Sequence, residues 1–407
     1  MDKAMSVIVV GAGQAGAALV AKLRALGHEG PITLIGDEPV LPYQRPPLSK
    51  KYLLGEMELE RLFLRPESFY TEQGIELVTG HRVTAIDPEA RSIALDDGRS
   101  LHWDRLALTT GARPRRLPDA IGGGLDGAYL MRNLADADAI APEFVPGRRV
   151  VIVGGGYIGL EAAAVAASKG LIVTLLEAAP RILARVASEA TADWFRALHE
   201  SQGVDIREAV HLDRLEGEGH VTGARLGDGT VIPADFVLVG IGVEPDTALA
   251  AKAGLAIDNG IAVDERCHTS AAGIFAAGDC ASMPWAEGRL RLESVPNAIE
   301  QAEVAAAAML GEEIRYTPNP WFWSDQFDVK LQIAGLGTGH DRTVTRPGAR
   351  EGSLSIWYYA GRRLIAVDAM NDPRAYMAGK RMIESGISPE PEAIADPKTD
   401  LKVLMSG

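Results

Sequence analysis

The strongest constraint on this chain is a pattern that occurs twice: a short apolar run, a glycine-rich loop and a helix-like stretch. The first copy runs Val7-Ile8-Val9-Val10, then Gly11-Ala12-Gly13-Gln14-Ala15-Gly16, and opens into Ala17 to Leu26. The second runs Val150-Val151-Ile152-Val153, then Gly154-Gly155-Gly156-Tyr157-Ile158-Gly159, and opens into Leu160 to Lys169. In such a unit the glycines permit a tight turn and close approach of backbone to a pyrophosphate, while the helix N-terminus offers unpaired N–H groups and a positive dipole. A single G-x-G-x-x-G is weak evidence, since a plain tight strand-to-helix turn can carry it too. Here each copy is followed by a further strand with an acid at its end, Asp37 after Ile32 to Ile35 and Glu177 after Ile172 to Leu176. An acid in that place takes ribose hydroxyls, so two dinucleotide sites are predicted.

The rest of the chain narrows the setting. With 407 residues it is too long for one ordinary core, and two or three domains are expected. The net charge of −14 disfavours nucleic acid and anionic membrane as partners, since either is repelled across the Debye length. The apolar run Val7 to Val10 is far too short for a spanning helix or a signal-peptide core. Cys267 and Cys280 form no C-x-x-C pair, and the histidines show no metal spacing, so neither a disulfide framework nor a metal site is expected. A reducing cytoplasm is the expected home. From Trp321 to the end Lys and Arg number 11 and Asp and Glu 11, so the whole acidic surplus lies before residue 321.

Late in the chain, Thr269-Ser270-Ala271-Ala272-Gly273-Ile274-Phe275-Ala276-Ala277-Gly278-Asp279 reads as another apolar strand, ending in Gly-Asp. With it, the order of motifs resembles the two-dinucleotide-binding flavoproteins of the glutathione reductase fold. That resemblance implies an α/β fold with two Rossmann-like domains and a C-terminal α+β domain. The FAD-binding domain is then discontinuous, 1–112 and 245–320, with an NAD-binding domain inserted at 113–244 and an interface or docking domain at 321–407. The crossover segments are Ala107 to Pro114, with Thr110 and Gly111, and Val239 to Pro245, with Gly242.

Disulfide reductases of this fold carry a cysteine pair after the first nucleotide strand, and oxidase and peroxidase relatives a single cysteine. This chain has Leu41-Pro42-Tyr43-Gln44-Arg45-Pro46-Pro47-Leu48-Ser49-Lys50 there, with no thiol. The Tyr-x-Arg-Pro-Pro-Leu-Ser-Lys string resembles ferredoxin reductases of the putidaredoxin reductase type, rubredoxin reductases and apoptosis-inducing factors. Three further strings agree: Gly154 to Glu161, Arg291-Leu292-Glu293-Ser294-Val295-Pro296-Asn297-Ala298, and Pro320-Trp321-Phe322-Trp323-Ser324-Asp325-Gln326. The resemblance implies FAD and NAD(H) as cofactors and a [2Fe-2S] ferredoxin as partner. Hydride would pass from NADH to FAD, and single electrons onward to a ferredoxin feeding a cytochrome P450 or a ring-hydroxylating dioxygenase.

Carried over residue by residue, the resemblance places Arg45 on the FAD pyrophosphate, Asp279 on the ribitol side and Arg132 as a second neutralising charge. Lys50 would face the flavin N5 edge and pair with Glu161, and Trp323 would lie beside the isoalloxazine ring at the electron's exit; these three are the candidate catalytic residues. The remaining candidate cofactor contacts are Gly11, Gly13, Ala15, Gly16, Val83, Thr110, Gly111, Gly154, Gly156, Tyr157, Ile158, Gly159, Glu177, Gly242, Gly278, Glu293, Ser294 and Val295, with Asp37. Glu177 favours NADH over NADPH, against which stand Arg181 and Arg185 shortly beyond it. Trp321 and Trp323 also fit as ordinary core aromatics, Trp321 more readily than Trp323. Lys380, Arg381, Lys398 and Lys402 read either as contact charges for an acidic ferredoxin or as a solvated helical face. An NADH oxidase, a rubredoxin reductase and an apoptosis-inducing-factor-like interaction protein are the competing functions. The pattern leaves monomer and homodimer open.

Overall fold

The structure, a computed structural model, describes residues 4–286 and 288–405. Its contacts divide the chain into two compact units. One comprises the N-terminal segment through Gln44, Glu58–Arg113 and Val243–Pro318; the other comprises Arg45–Met57, Pro114–Gly242 and the C-terminal segment from Asn319.

The first unit is built on a five-stranded parallel sheet. Its order across the sheet is Ile274–Ala276, Arg105–Leu108, Val7–Val10, Ile32–Gly36 and Ile75–Thr79. Every residue of Val7–Val10 is buried, as expected of a parallel strand covered on both faces. On one face lie the helices Gln14–Ala25 and Val295–Met309, whose Leu19, Val20 and Leu23 share a core with Ala302, Ala305 and Ala306. The other face is covered by the antiparallel strands Val83–Asp87 and Ser92–Leu95, with Ile261, Val263 and Met283.

The second unit repeats the parallel design and adds an antiparallel sheet. The parallel sheet runs Asp205–Arg207, Ile172–Leu176, Arg149–Val153, Phe236–Val239 and Ala128–Leu130. The antiparallel one runs Trp321–Gln326, Val329–Gly335, Arg363–Met370, Leu354–Ala360 and Arg342–Pro347. The helix Pro373–Glu384 lies so close on it that a Cβ at Gly379 would sit 2.5 Å from Val367 Cγ1. The expected α/β fold class, with a C-terminal α+β part, is therefore present.

Two features of this division differ from the sequence reading. Residues 45–57, placed there within 1–112, pack with the second unit because Leu53 buries its side chain in that unit's core. Segments 113–244 and 321–407 keep separate sheets but share one core, in which Phe195 and Leu238 meet Val329, Leu331 and Tyr358. Local pattern is silent on both points, since each depends on which apolar faces meet. Cys267 and Cys280 are both free and fully buried. Among the described residues, no helix is long and apolar enough to cross a membrane.

Candidate functional site

The two glycine-rich loops have the same geometry. Gly11 and Gly154 both adopt φ +112°, a left-handed conformation disfavoured for other residues. A Cβ on Gly11 would lie 2.2 Å from the Thr109 carbonyl oxygen, and one on Gly154 2.4 Å from that of Gly240. Gly16 and Gly159 are equally confined, their Cβ positions falling 2.1 and 2.0 Å from the carbonyl oxygens of Gly11 and Gly154. The middle glycines behave differently. Gly13 and Gly156 are the N-caps of the helices Gln14–Ala25 and Tyr157–Ser168, with no side chain capping either. Nothing lies within 4 Å of a Cβ at either position. Each loop thus presents uncapped helix N–H groups beside open space, which fits the pyrophosphate of a dinucleotide.

In the first unit, Ala15 is buried in the first turn of its helix and Val83 begins a strand as a buried residue. Asp37 pairs with Arg82 at 2.7 Å in an exposed ion pair. Thr110 Oγ1 donates to the Asp246 carbonyl at 2.6 Å, and Gly111 follows with φ +70°. At the end of strand Ile274–Ala276, the Gly278 amide donates to Gln301 Oε1 at 2.8 Å, and the Asp279 carbonyl accepts from Arg291 at 3.2 Å. Arg291 also pairs with Glu293 at 2.6 Å. Ser294 caps Val295–Met309 by accepting from the Asn297 amide.

In the second unit, Glu177 is held by its own loop. Its Oε2 accepts from the Gly155 amide and its Oε1 from the Ala179 amide, both at 2.7 Å. Arg181 donates to the carbonyls of Ile182, Ala187 and Ser188. Gly242 has φ +97°, beside Arg185. Ile158 is exposed, and the Tyr157 ring packs against Phe322 with centroids 5.1 Å apart. Arg45 donates to the Arg132 carbonyl at 3.0 Å.

Lys50 and Glu161 come together. Lys50 sits in a one-turn π-helix, Leu48–Tyr52, which it interrupts with non-helical φ/ψ; such turns are common at functional positions. Its Nζ lies 3.0 Å from Glu161 Oε1 and 3.7 Å from Asp325 Oδ2. Glu161 lies on the helix Tyr157–Ser168, where Gly159 through Val165 are all buried. Burial pushes its carboxyl above the ordinary carboxylate range, against the pull of Lys50 and of hydrogen bonds from Ser324 and Ser49. Ser324 Oγ donates to Oε1 at 2.7 Å and Ser49 Oγ to Oε2 at 3.2 Å. Trp323 precedes Ser324 on strand Trp321–Gln326, half-buried, its ring 5.7 Å from Trp321. Sequence reasoning assigned no role to Ser49, Ser324, Asp325 or Gln326. Their signal was polar residues directly after the aromatic run Trp321-Phe322-Trp323 and directly before Lys50.

Two glycine-rich strand–turn–helix units, each followed by a strand with an acid at its end, and a Lys–Glu pair with no thiol beside it are the features of an oxidoreductase working through two dinucleotides. Residues 5–302 match the pyridine nucleotide-disulphide oxidoreductase family, and residues 321–405 match the reductase C-terminal family. The chain is 41% identical to the putidaredoxin reductase CamA of Pseudomonas putida, over 98% of this chain and 97% of that one. It is also 41% identical to the rhodocoxin reductase of Rhodococcus erythropolis, over 99% and 95%. Its fold superposes with a TM-score of 0.95 on the reductase in a covalent putidaredoxin reductase–putidaredoxin complex, covering 99% of this chain and 98% of that one at 41% identity. The chain belongs to the pyridine nucleotide-disulphide oxidoreductase family, in its branch of putidaredoxin reductase-type ferredoxin reductases.

Proposed function

We propose that this protein is an NADH-dependent ferredoxin reductase, whose electrons go to a [2Fe-2S] ferredoxin serving a cytochrome P450 or a ring-hydroxylating dioxygenase. The observation that carries this reading is the pairing of Lys50 with the buried Glu161 at 3.0 Å, on a chain with no thiol at the position where disulfide reductases hold one. Bound FAD supplies the conversion of a two-electron hydride into single electrons. The first unit would hold FAD through Gly11, Gly13, Gly16, Asp37 and Asp279. The parallel sheet of the second would hold NADH through Gly154, Gly156 and Glu177.

Lys50 places a positive charge where reduction adds negative charge, and Glu161 orients it while screening it from bulk water. Trp323 lines the electron's exit, and the C-terminal sheet carries the docking face. The preference for NADH is supported by Glu177, held ready for ribose hydroxyls, and by Arg181, whose guanidinium already serves three carbonyls instead of a 2′-phosphate. Two buried thiols suit a reducing cytoplasm.

The test is NADH-driven reduction of acidic [2Fe-2S] ferredoxins and rubredoxins, compared by rate alongside oxygen consumption. Ferredoxin should be reduced fastest. Faster rubredoxin turnover, or oxygen uptake at turnover speed without a carrier, would reassign the acceptor. NADH should exceed NADPH in kcat/KM by more than about tenfold, roughly 1.4 kcal/mol.

A further inference from the structure

Beyond the Lys50–Glu161 pair, a line of buried polar groups continues away from it. Ser324 Oγ donates to Glu161 Oε1, and Gln326 Nε2 donates to Ser324 Oγ at 3.1 Å. Gln326 Oε1 lies 2.8 Å from His199 Nε2. Ser324, Gln326 and His199 are each fully buried. His199 sits on the helix Glu189–Ser201, more than a hundred residues from the strand Trp321–Gln326 that it meets.

The direction of this line follows from donor chemistry. A carboxylate only accepts, so Ser324 must donate to it. Gln326 then spends its amide N–H on Ser324 and leaves its carbonyl oxygen for His199, which must bring an N–H at Nε2. His199 Nδ1 is buried and, among the described residues, has no hydrogen-bond partner. A proton there would find no acceptor, so the ring is neutral with its one proton on Nε2. Every dipole in the line points its positive end toward Glu161.

We propose that His199, Gln326 and Ser324 form a directional hydrogen-bond relay that positions the Glu161 carboxylate and holds it ionised opposite Lys50. His199 is thereby a positioning residue for the redox reaction, acting through Gln326 and Ser324. The groups that face Glu161 are Lys50 and Ser49 from the π-turn and Ser324 from the strand, with Asp325 reaching Lys50. The strands Arg149–Val153 and Ile172–Leu176, packed on the same helix, contribute apolar Val150, Ile152, Val173 and Leu175. The relay opposes the desolvation that favours the protonated acid, and successive hydrogen bonds in a low-dielectric interior reinforce one another. This inference rests on reading Lys50 and Glu161 as the flavin-side pair.

The holoprotein, labelled with ¹³C at glutamate carboxyls and ¹⁵N in histidine rings, tests it by NMR. Glu161→Gln assigns the carboxyl signal. In the unmodified protein His199 should show the Nε2–H tautomer. His199→Phe, Gln326→Leu and Ser324→Ala should each raise the Glu161 titration midpoint by about one pH unit, a tenfold change in proton affinity, while His199→Gln, which keeps a donor near Nε2, should stay within about 0.3 unit. The pH profile of flavin reduction by NADH should move with the midpoint. An Nδ1–H tautomer, or a midpoint unmoved in the Phe, Leu and Ala variants that fold, would overturn the relay. If Glu161→Gln leaves NADH reduction of the flavin at the original rate, the flavin-side reading of the pair falls instead.

Discussion

Replacing Lys50 by Gln removes an ammonium 3.0 Å from a carboxylate whose side chain is only 3% exposed. A buried carboxylate deprived of its cation is pushed further toward the protonated form. Two consequences are expected. NADH should reduce the flavin at least about tenfold more slowly, and the flavin midpoint potential should fall, because the charge that favours the reduced ring is gone. Stopped-flow reduction and a spectroelectrochemical titration measure the two, and wild-type values for both would remove Lys50 from the mechanism. A second residue-scale prediction concerns the loop glycines. Gly156→Ala should fold normally, since nothing lies within 4 Å of the added Cβ, yet bind NADH more weakly because the methyl occupies the pyrophosphate's approach. Gly159→Ala places its Cβ 2.0 Å from the Gly154 carbonyl oxygen and should lower Tm as well. Equal stability in the two variants would contradict the division of labour between these glycines.

At the scale of elements, the strand Arg363–Met370 meets the helix Glu189–Ser201 through a buried acid. Asp368 Oδ2 accepts from Thr191 Oγ1 at 2.7 Å and from the Tyr358 hydroxyl. Burial pushes its carboxyl up to about 6, against the pull of both hydrogen bonds and of His340. The folded state therefore holds this proton more tightly than the unfolded chain, and stability falls as pH rises through the interval from about 4 to about 6. The size of that fall is on the order of 3 kcal/mol for a shift of about two pH units. In Asp368→Asn this dependence disappears, so the Tm of the variant relative to wild type should climb between pH 4 and 7. A difference that stays flat with pH would mean that Asp368 titrates alike in both states. The same helix carries Thr191 and His199 to the C-terminal sheet, so a single element supports both polar contacts.

At the scale of the whole molecule, charge decides how a carrier can approach. The net charge of −14 repels an acidic ferredoxin, and only the segment from Trp321, with its 11 basic and 11 acidic residues, is relieved of that surplus. The structure separates the proposed contact charges. Lys380 lies 5.1 Å over the Trp321 ring and 3.7 Å from Glu384, so reversing it would also disturb the aromatic strand. Arg381, exposed on the same helix, is the cleaner test. Arg381→Glu should raise the apparent KM for ferredoxin several-fold and leave ferricyanide reduction unchanged. Ferredoxin reduction at subsaturating carrier should also slow as salt rises, while NADH reduction of the flavin stays level. An unmoved KM together with a salt-independent rate would place the docking face elsewhere.

Short-range chemistry is what could be read without coordinates. The glycine spacing in 11–16 and 154–159, the acids at Asp37 and Glu177 and the apolar strands before them are local requirements of a strand–turn–helix, so they announce two nucleotide folds by themselves. The absence of a thiol near Lys50 is equally plain in the string. Side-chain partners drawn from distant segments were not legible. Leu53 joins a core with Val329 and Leu331, and Glu161 is served by Ser49 and Ser324. His199 on one helix meets Gln326 on a strand of the other sheet, and no periodicity marks either as polar partner to the other. Such pairings are set when apolar faces pack, because only then does desolvation require each buried donor and acceptor to find its complement. The sequence by itself determined which chemistry the chain carries; the tertiary structure decided which polar groups hold that chemistry in place.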